Sequence, residues 1–313
     1  MGGAGGAFLL DVLKGTLLTL VLFLAYVMVP VAGFFPGLFT PLPGMFYACK
    51  RGAMAAALIV VLATTVLLVL GERTVPLLYL LQYGVITLVV PALYRQGKGA
   101  ARAIVLAVGV NAVLVLVLAG GYGVATGVDL KGLVLQGIQA NVKQAVGIYE
   151  KQGLKGEDLQ LLTQGMEQAA RMVGRVFPAL ALITLGAIAG LNLLFLSRLS
   201  GRLPSLPEFS PFQAYRNPEP LVWVVIVAGF AMLLPAPAMS SGALNVLLVA
   251  GTMYFIQGLA ILQYTLDRLA TPRLLRIIGY LILAIQPYLV LPIAVLGIFD
   301  IWGDFRTPRT KNL

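Results

Sequence analysis

Histidine is absent from this chain of 313 residues, cysteine occurs once, and charged residues make up only 11% of the sequence. The absence of histidine excludes imidazole-ligated zinc and the Ser-His and Cys-His catalytic arrangements. The single cysteine, Cys49, excludes an internal disulfide and argues against a cysteine-ligated iron–sulfur cluster. We therefore predict no metal site, no cofactor and no catalytic residues, and the chain is not expected to be an enzyme.

The scarcity of charge also indicates what surrounds this protein. Soluble domains average about 25% charged residues, whereas this chain is 59% hydrophobic with a mean hydropathy of +0.94. Such a composition cannot cover a soluble surface, so lipid must solvate much of the chain. The apolar segments hold no charged residue in their interiors, which argues against proton relays and against intramembrane hydrolysis by paired aspartates.

The basic excess has a simple explanation in a membrane protein. The formal net charge is +10, from 22 Lys and Arg against 12 Asp and Glu. These basic residues flank the apolar segments, as the positive-inside rule requires. The predicted partner is the lipid bilayer, and no nucleic-acid partner is expected.

Nine apolar segments are candidates for crossing the membrane. The segment 33–49 contains three prolines, Pro36, Pro41 and Pro43, and is either a short span or a re-entrant element. We therefore predict an all-α fold, a polytopic transmembrane helix bundle of about eight or nine spans. The segments are residues 15–30, 33–49, 52–70, 74–94, 103–122, 176–196, 221–234, 243–266 and 277–299.

Residues 128–175 are the one sizeable polar region, and their pattern predicts a helical hairpin. Two apolar stripes recur at helical spacing on either side of Gly153–Gly156. The stripes could pack together, lie on the membrane surface or dock a partner, and packing together is the default. This divides the chain into N-terminal helices (1–127), an extramembrane hairpin (128–175) and C-terminal helices (176–313) with a proline-rich cytoplasmic connection at 197–220. The stripes are Val134, Ile138, Val142, Ala145 and Tyr149, then Leu159, Leu162, Met166, Ala169 and Val173.

The distribution of Lys and Arg predicts the orientation. It places the turns at Lys50, Arg95–Arg102, Arg198–Arg216 and Arg268–Arg276 in the cytoplasm, and the Glu72 turn, the 235–242 loop and the hairpin outside it. Nine crossings would put the C-terminus outside, which conflicts with the basic residues Arg306, Arg309 and Lys311. Either the proline-bent last segment does not cross simply, or the segment 33–49 is not a full span.

Neutral amides within the apolar segments are the first candidates for function. An amide facing lipid is costly, so these side chains should face other helices or a cavity. Interhelical hydrogen bonding is one explanation, and a neutral ligand pocket is the other. The amides are Gln82, Asn111, Asn192, Asn245, Gln257, Gln263 and Gln286, and the predicted ligand-binding residues are Gln257, Gln263, Gln286, Tyr254, Tyr288 and Asn192.

Two further segments combine prolines or charges with aromatic residues. LGIFDIWGDFR (296–306) is either an interfacial anchor with local salt bridges or a docking or gating element. LPEFSPFQAYRNPEPLVW (206–223) could lie at the headgroup level or bind a partner, whether a membrane or a cytoplasmic protein. The predicted interface residues are Phe209, Phe212, Arg216, Pro218, Trp223, Asp300, Trp302, Asp304 and Arg306.

These two segments, together with YFIQGLAI at 254–261, resemble the YybS-like family of bacterial polytopic membrane proteins of unknown function. The resemblance covers the last third of the chain well and implies a multi-pass protein of the bacterial cytoplasmic (inner) membrane. More remotely, the N-terminal six spans are similar in layout to the substrate-binding S components of energy-coupling-factor transporters. The resemblance implies a transport-related protein that binds a small, mostly neutral solute. The alternative, from the hairpin and the proline-rich connection, is a non-enzymatic scaffold for envelope or morphogenetic proteins.

Overall fold

The computed structural model describes residues 2–29, 32–70, 74–199, 201, 203 and 210–306. Every regular element in these ranges is helical, which confirms the predicted all-α fold. The predictions made for Glu72, Phe209, Arg309 and Lys311 lie outside the described residues. The helices are α1 (Gly2–Met28), α2 (Phe34–Leu38), α3 (Leu42–Arg51), α4 (Ala53–Leu70), α5 (Thr74–Tyr79), α6 (Val85–Arg95), α7 (Ala100–Thr126), α8 (Leu130–Lys151), α9 (Gly156–Arg198), α10 (Leu221–Met232), α11 (Pro237–Arg268), α12 (Arg273–Ile285) and α13 (Val290–Gly303), with a π-helical turn at Leu80–Gly84 and 3₁₀ turns at Phe212–Ala214 and Pro287–Leu289.

Six of the nine predicted segments form helices long and apolar enough to cross a membrane, which confirms a polytopic bundle. The other three are shorter or broken. The segment 33–49 forms the short helices α2 and α3, and α10 has only 12 residues. The last segment is interrupted at Gln286, where α12 and α13 meet at an angle of 99°. Prolines account for the breaks at 36–43 and at 287, because proline lacks an N–H and disfavours helix in the preceding residue.

The first helix begins earlier than its apolar run. Residues 2–14 extend α1 beyond the predicted start at Gly15, so Asp11 lies inside the helix. The Asp11 carboxylate accepts from Lys50 Nζ at 3.1 Å and from Arg51 Nε at 2.6 Å. This pairing fixes the start of α1 to the end of α3, and it explains how a helix in an apolar unit holds a largely buried carboxylate.

The predicted hairpin is formed by α8 and the first half of α9. Its turn contains Gly153 and Gly156, both with positive φ, a conformation that glycine adopts without strain. Leu135 and Ile138 of α8 lie against Gly174 of α9, so the two arms of the hairpin meet there. That the two apolar stripes pack together stays a prediction. The second arm continues into the following span without a break, and α9 is one helix of 43 residues. Its location outside the cytoplasm stays a prediction.

The chain divides into two compact units. Unit 1 comprises Met1–Gly127 and Thr184–Ser210, and unit 2 comprises Val128–Ile183 and Pro211–Leu313. Each has its own packed interior, and each holds a distinct set of buried polar groups. The division runs within α9, which contributes its second half to unit 1 and its first half to unit 2.

Candidate functional site

Four aromatic residues pack edge to face in the interior of unit 1. Phe23 lies 5.3 Å from Tyr79 and 5.8 Å from Tyr83, and Tyr26 lies 6.1 Å from Tyr83, between ring centroids. Phe23, Tyr79 and Tyr83 are at most 1% exposed. These four side chains, which we call the aromatic cluster, join α1 to the segment of α5 that leads into the π-helical turn.

Two stretches of irregular backbone border the aromatic cluster. The π-helical turn Leu80–Gly84 contains Tyr83, and Gly37 of α2 packs directly on the ring of Tyr26. The Leu81 carbonyl oxygen accepts a hydrogen bond from Asn111 Nδ2 of α7 at 2.5 Å. Isolated π-turns occur frequently at functional sites, and broken backbone at membrane depth requires protein or water beside it.

Five polar atoms around the aromatic cluster have no hydrogen-bond partner among the described residues. All five belong to neutral, buried side chains that are at most 2% exposed. Three are hydroxyls, which can donate, and two are amide oxygens, which can only accept. The atoms are Oγ1 of Thr19, Oγ1 of Thr40, Oη of Tyr79, Oδ1 of Asn111 and Oδ1 of Asn192.

The residues that carry these five atoms stand on the elements that form or border the aromatic cluster. Thr19 precedes Phe23 by one turn on α1, and Tyr79 belongs to the cluster itself. Asn192 Nδ2 donates to the carbonyl oxygens of Leu38 and Ile188, each at 2.7 Å. Leu38 ends the α2 helix that packs on Tyr26 through Gly37, and Thr40 follows two residues later.

Unit 2 buries charged groups instead. Asp300 of α13 is 2% exposed, and its Oδ2 accepts from Arg306 Nη2 at 2.6 Å and from Gln257 Nε2 at 3.0 Å. The Arg306 Nη1 donates to the carbonyl oxygens of Gln213 and Tyr215, at 2.6 and 2.7 Å. The buried carboxylate is thus neutralised by a guanidinium that also caps two backbone carbonyls.

Asn217 completes this arrangement, which we call the buried polar network. Its backbone N–H donates to Gln257 Oε1 at 2.9 Å, and its Nδ2 donates to the Met253 carbonyl oxygen at 2.9 Å. Burial raises the pKa of the Tyr215 hydroxyl, and this hydroxyl donates to Asn217 Oδ1 at 2.7 Å. Asn217 thus attaches the connection before α10 to α11 through both its side chain and its backbone.

Next to the buried polar network, α11 and α13 cross at backbone contact distance. A Cβ atom on Gly258 would collide with the Ile293 carbonyl oxygen, and one on Gly297 would collide with the Tyr254 carbonyl oxygen. Glycine at both positions is therefore needed for this approach, which is the common device for close helix contact in membranes.

The buried polar network brings together the three segments on which the YybS-like resemblance depends. The connection supplies Gln213, Tyr215 and Asn217, the stretch 254–261 supplies Gln257, and the terminal segment supplies Asp300 and Arg306, the first and last residues of its DIWGDFR portion. Segments that are separate in sequence therefore form one structural element.

The structure does not gather the six predicted ligand-binding residues at one place. Gln257 and Tyr254 lie buried on α11, with Gln257 engaged in the buried polar network, and Gln263 lies half-buried further along the same helix. Gln286 and Tyr288 lie exposed at the break between α12 and α13. Asn192 belongs to unit 1, beside the aromatic cluster. That these residues bind a ligand stays a prediction.

The predicted interface residues fall into buried and exposed groups. Asp300 and Arg306 are buried, while Arg216 and Asp304 form a half-exposed ion pair. Trp302 packs against Phe299 at 6.2 Å and remains exposed, as do Phe212, Pro218 and Trp223. Trp223 borders an apolar groove of about 440 Å³ between α10 and α11, which Val227 and Met239 also line.

Several residues of both sites were not singled out from the sequence. No sequence pattern marks Thr19, Thr40 or Tyr79 as a binding residue. A hydroxyl in an apolar helix usually donates to a backbone carbonyl of the same helix, as Thr16 does to Val12. Asn111 stood among the neutral amides of the apolar segments. Asn217 lies in the connection on which the family resemblance depends, but the predicted interface residue at this point is its neighbour Pro218.

Comparison with known proteins agrees with this resemblance. The chain is 26% identical over 146 residues to the uncharacterized protein YybS of Bacillus subtilis (strain 168), an alignment covering 45% of the chain and 47% of that protein. The chain thus spans about half the length of the curated relative it matches. No solved structure matches it. The family model described as "Predicted membrane protein (DUF2232)" matches residues 17–301, almost all of the membrane-embedded chain, and the protein belongs to that family.

Proposed function

We propose that this membrane protein is transport-related and binds a small, neutral, polar solute inside unit 1, at the aromatic cluster. The observation that carries the proposal is the group of five buried polar atoms that have no hydrogen-bond partner among the described residues. A solute with both donor and acceptor groups matches their three hydroxyls and two amide oxygens.

The energetics support a ligand at this position. Leaving a buried polar group unsatisfied costs about 1–3 kcal/mol, so five such atoms in one interior are a considerable burden on folding. Threonine and tyrosine could be replaced by valine and phenylalanine with little change of shape. Their presence is explained if a bound solute, with accompanying water, provides the missing partners.

The chemistry of the site favours binding over catalysis. The five side chains are neutral and hold no nucleophile–base pair, and the bordering π-turn and broken helix are typical of backbone that lines a polar interior. The layout resemblance to substrate-binding S components points in the same direction, as an analogy of fold. A neutral site suits a solute that is moved without a coupled ion.

Native mass spectrometry of the full-length protein, extracted gently with its own lipids, tests the proposal. The double variant Thr19→Val/Tyr79→Phe removes two hydroxyls that have no described partner, so it should fold as the wild type does. We expect a co-purifying small molecule on the wild type and at least a tenfold lower occupancy on the variant. The matched control is Tyr254→Phe, which removes a comparable buried hydroxyl from unit 2.

Two outcomes would contradict the proposal. One is a wild-type protein that carries only lipid under every extraction condition and gains no thermal stability from a solute library. The other is a small molecule whose occupancy is unchanged in Thr19→Val/Tyr79→Phe but falls in Tyr254→Phe, which would move the site to unit 2.

A scaffold function keeps one observation in its favour. The helix α9 is about 65 Å long at 1.5 Å per residue, twice the thickness of a hydrocarbon core of about 30 Å, and α8 approaches it at Gly174. Apolar side chains such as Leu133, Ile148 and Leu161 are exposed on this hairpin. Cross-linking from Ile148 should capture one defined protein if the hairpin is a docking element, and only random neighbours if it is not.

A further inference from the structure

The helix α12 has almost no contact with the rest of unit 2. None of its 13 residues is buried within the described structure, although ten of them are leucine, isoleucine, alanine or tyrosine. Leu274 is 68% exposed and Ile285 is 72% exposed. A helix with so much exposed apolar surface must be covered by lipid or by another protein.

The residues of α12 are divided between two faces. At 100° per residue, Leu274, Ile278, Leu281 and Ile285 lie along one face. Arg273, Arg276 and Tyr280 lie on the opposite side, which Leu283 shares, and both arginines belong to the first turn. A helix immersed in the hydrocarbon core would be apolar all round, whereas basic residues opposite a bulky apolar face are typical of a helix lying in the headgroup region.

The length and the ends of α12 argue against a crossing. Thirteen residues extend about 20 Å, and a hydrocarbon core is about 30 Å thick. The helix then turns by 99° into α13 rather than continuing. Its first turn is held by the ion pair of Arg276 with Asp267, and Asp267 also bonds Gln213, whose carbonyl oxygen binds Arg306 after α13. The start of α12 and the end of α13 are thus joined through two residues, Asp267 and Gln213.

We infer that α12 is a lipid-binding surface helix, lying in the plane of the membrane with Leu274, Ile278, Leu281 and Ile285 in the acyl boundary and Arg273 among the headgroups. The partner is the lipid surface of the leaflet that adjoins the Arg268–Arg276 turn. Charge complementarity supports this occupant, because Arg268 and Arg273 are exposed there and headgroup phosphates are anionic. The break at Gln286 is then the point where the chain leaves the membrane surface and α13 enters the bundle.

Depth measurement by spin labelling tests this inference on the full-length protein. Cys49 is the only cysteine, so a Cys49→Ala background allows single labels at Leu274→Cys and Ile285→Cys. These positions share a face and lie about 16 Å apart along the helix axis. The protein is placed in phosphatidylcholine–phosphatidylglycerol vesicles, and label accessibility to oxygen and to a water-soluble nickel chelate gives the depth of each label.

A surface helix predicts equal depth for the two labels, within about 4 Å and about 5–10 Å below the headgroups, with a label at Tyr280→Cys open to the nickel chelate. The control pair is Leu106→Cys and Val117→Cys on α7, which have the same separation on a long apolar helix and should differ by about 16 Å in depth. A comparable difference at Leu274 and Ile285 would overturn the inference in favour of a spanning helix. Labels shielded from both reagents would overturn it in favour of a protein occupant, such as a second copy of this chain.

Discussion

The two units bury polar groups in opposite ways. Unit 2 buries a full carboxylate and a guanidinium, Asp300 and Arg306, and surrounds them with amides and backbone partners. Among the buried side-chain polar atoms of its described residues, only the Tyr254 hydroxyl and the Arg306 Nε lack a partner. Unit 1 also pairs its buried carboxylate, Asp11, with Lys50 and Arg51, but around its aromatic cluster it buries neutral side chains and leaves five polar atoms without a described partner.

This difference separates polar groups that specify packing from polar groups that remain available for binding. A buried charge is tolerated only when its partners are supplied by the fold, which makes the buried polar network of unit 2 a fastening between α11, α13 and the connection. Neutral hydroxyls and amides cost less to bury, so unit 1 can hold them ready for a solute. Substitutions that remove the same kind of atom should therefore differ in effect between the two units.

The largest effect is expected for Arg306→Met. The substitution leaves Asp300 buried without its cation, and breaking a buried pair in this way costs about 3–5 kcal/mol. The measurement is the thermal unfolding midpoint of the purified protein in detergent. The control is Arg216→Met, which breaks the half-exposed pair with Asp304 and should cost about 1 kcal/mol or less. Similar shifts for both variants would contradict a fastening role of the buried polar network.

A smaller loss is expected for Gly258→Ala. The added methyl group meets the Ile293 backbone, and such overpacking costs about 1–3 kcal/mol. Gly251→Ala on the same helix, where a Cβ would have open space, should be neutral or stabilising by up to about 1 kcal/mol. Both are compared by the same unfolding measurement. If Gly258→Ala were as stable as Gly251→Ala, the close crossing of α11 and α13 would be wrong.

The smallest effect, and the most informative about function, is the difference between two Tyr→Phe substitutions. Tyr215→Phe removes a hydroxyl that donates to Asn217 and should destabilise by about 1 kcal/mol. Tyr79→Phe removes a hydroxyl with no described partner and should leave the solute-free protein equally stable or more stable. With solute bound the order should change, since Tyr79→Phe then loses a contact. A clear destabilisation by Tyr79→Phe in the solute-free protein would argue for a purely structural hydroxyl.

The membrane class and most helices follow from the sequence, because long uncharged apolar runs have few alternatives in lipid. Where the helix boundaries differ from those predicted, the causes are local. The polar residues before Val176 do not interrupt α9, since arginine and glutamine are good helix formers and only the solvent changes along its length. The break at Gln286 followed from Pro287, but its angle of 99° depends on contacts that α13 makes with α11.

The sites were only partly predictable. Four predicted residues are polar residues in apolar or aromatic surroundings: Gln257, Asp300, Arg216 and Arg306. The structure places Gln257, Asp300 and Arg306 in the buried polar network. Their pairing over long separations carries no local pattern. The π-turn at Leu80–Gly84 also has no local sequence pattern, because the partner of its Leu81 carbonyl oxygen is the Asn111 Nδ2 donor of another helix.

The conflict over the C-terminal side also becomes easier to understand. Arg306 binds the carbonyl oxygen of Gln213, whose side chain bonds Asp267 at the end of α11. Arg306, the last described residue, is therefore linked through Gln213 to the end of α11, where the basic Arg268–Arg276 turn begins. A basic C-terminal end near that turn is what the positive-inside rule favours, and the number of crossings stays a prediction.

The buried polar network has a consequence for biogenesis. Gln213 and Arg306 are 93 residues apart, so the network can close only after all the chain between them has left the ribosome. Until then, α11 is inserted with Gln257 lacking its partner Asp300. A translocon or insertase that retains α11 until α13 arrives would spare this amide from lipid, and an arrest of synthesis between the two helices should leave a protease-sensitive, chaperone-bound intermediate.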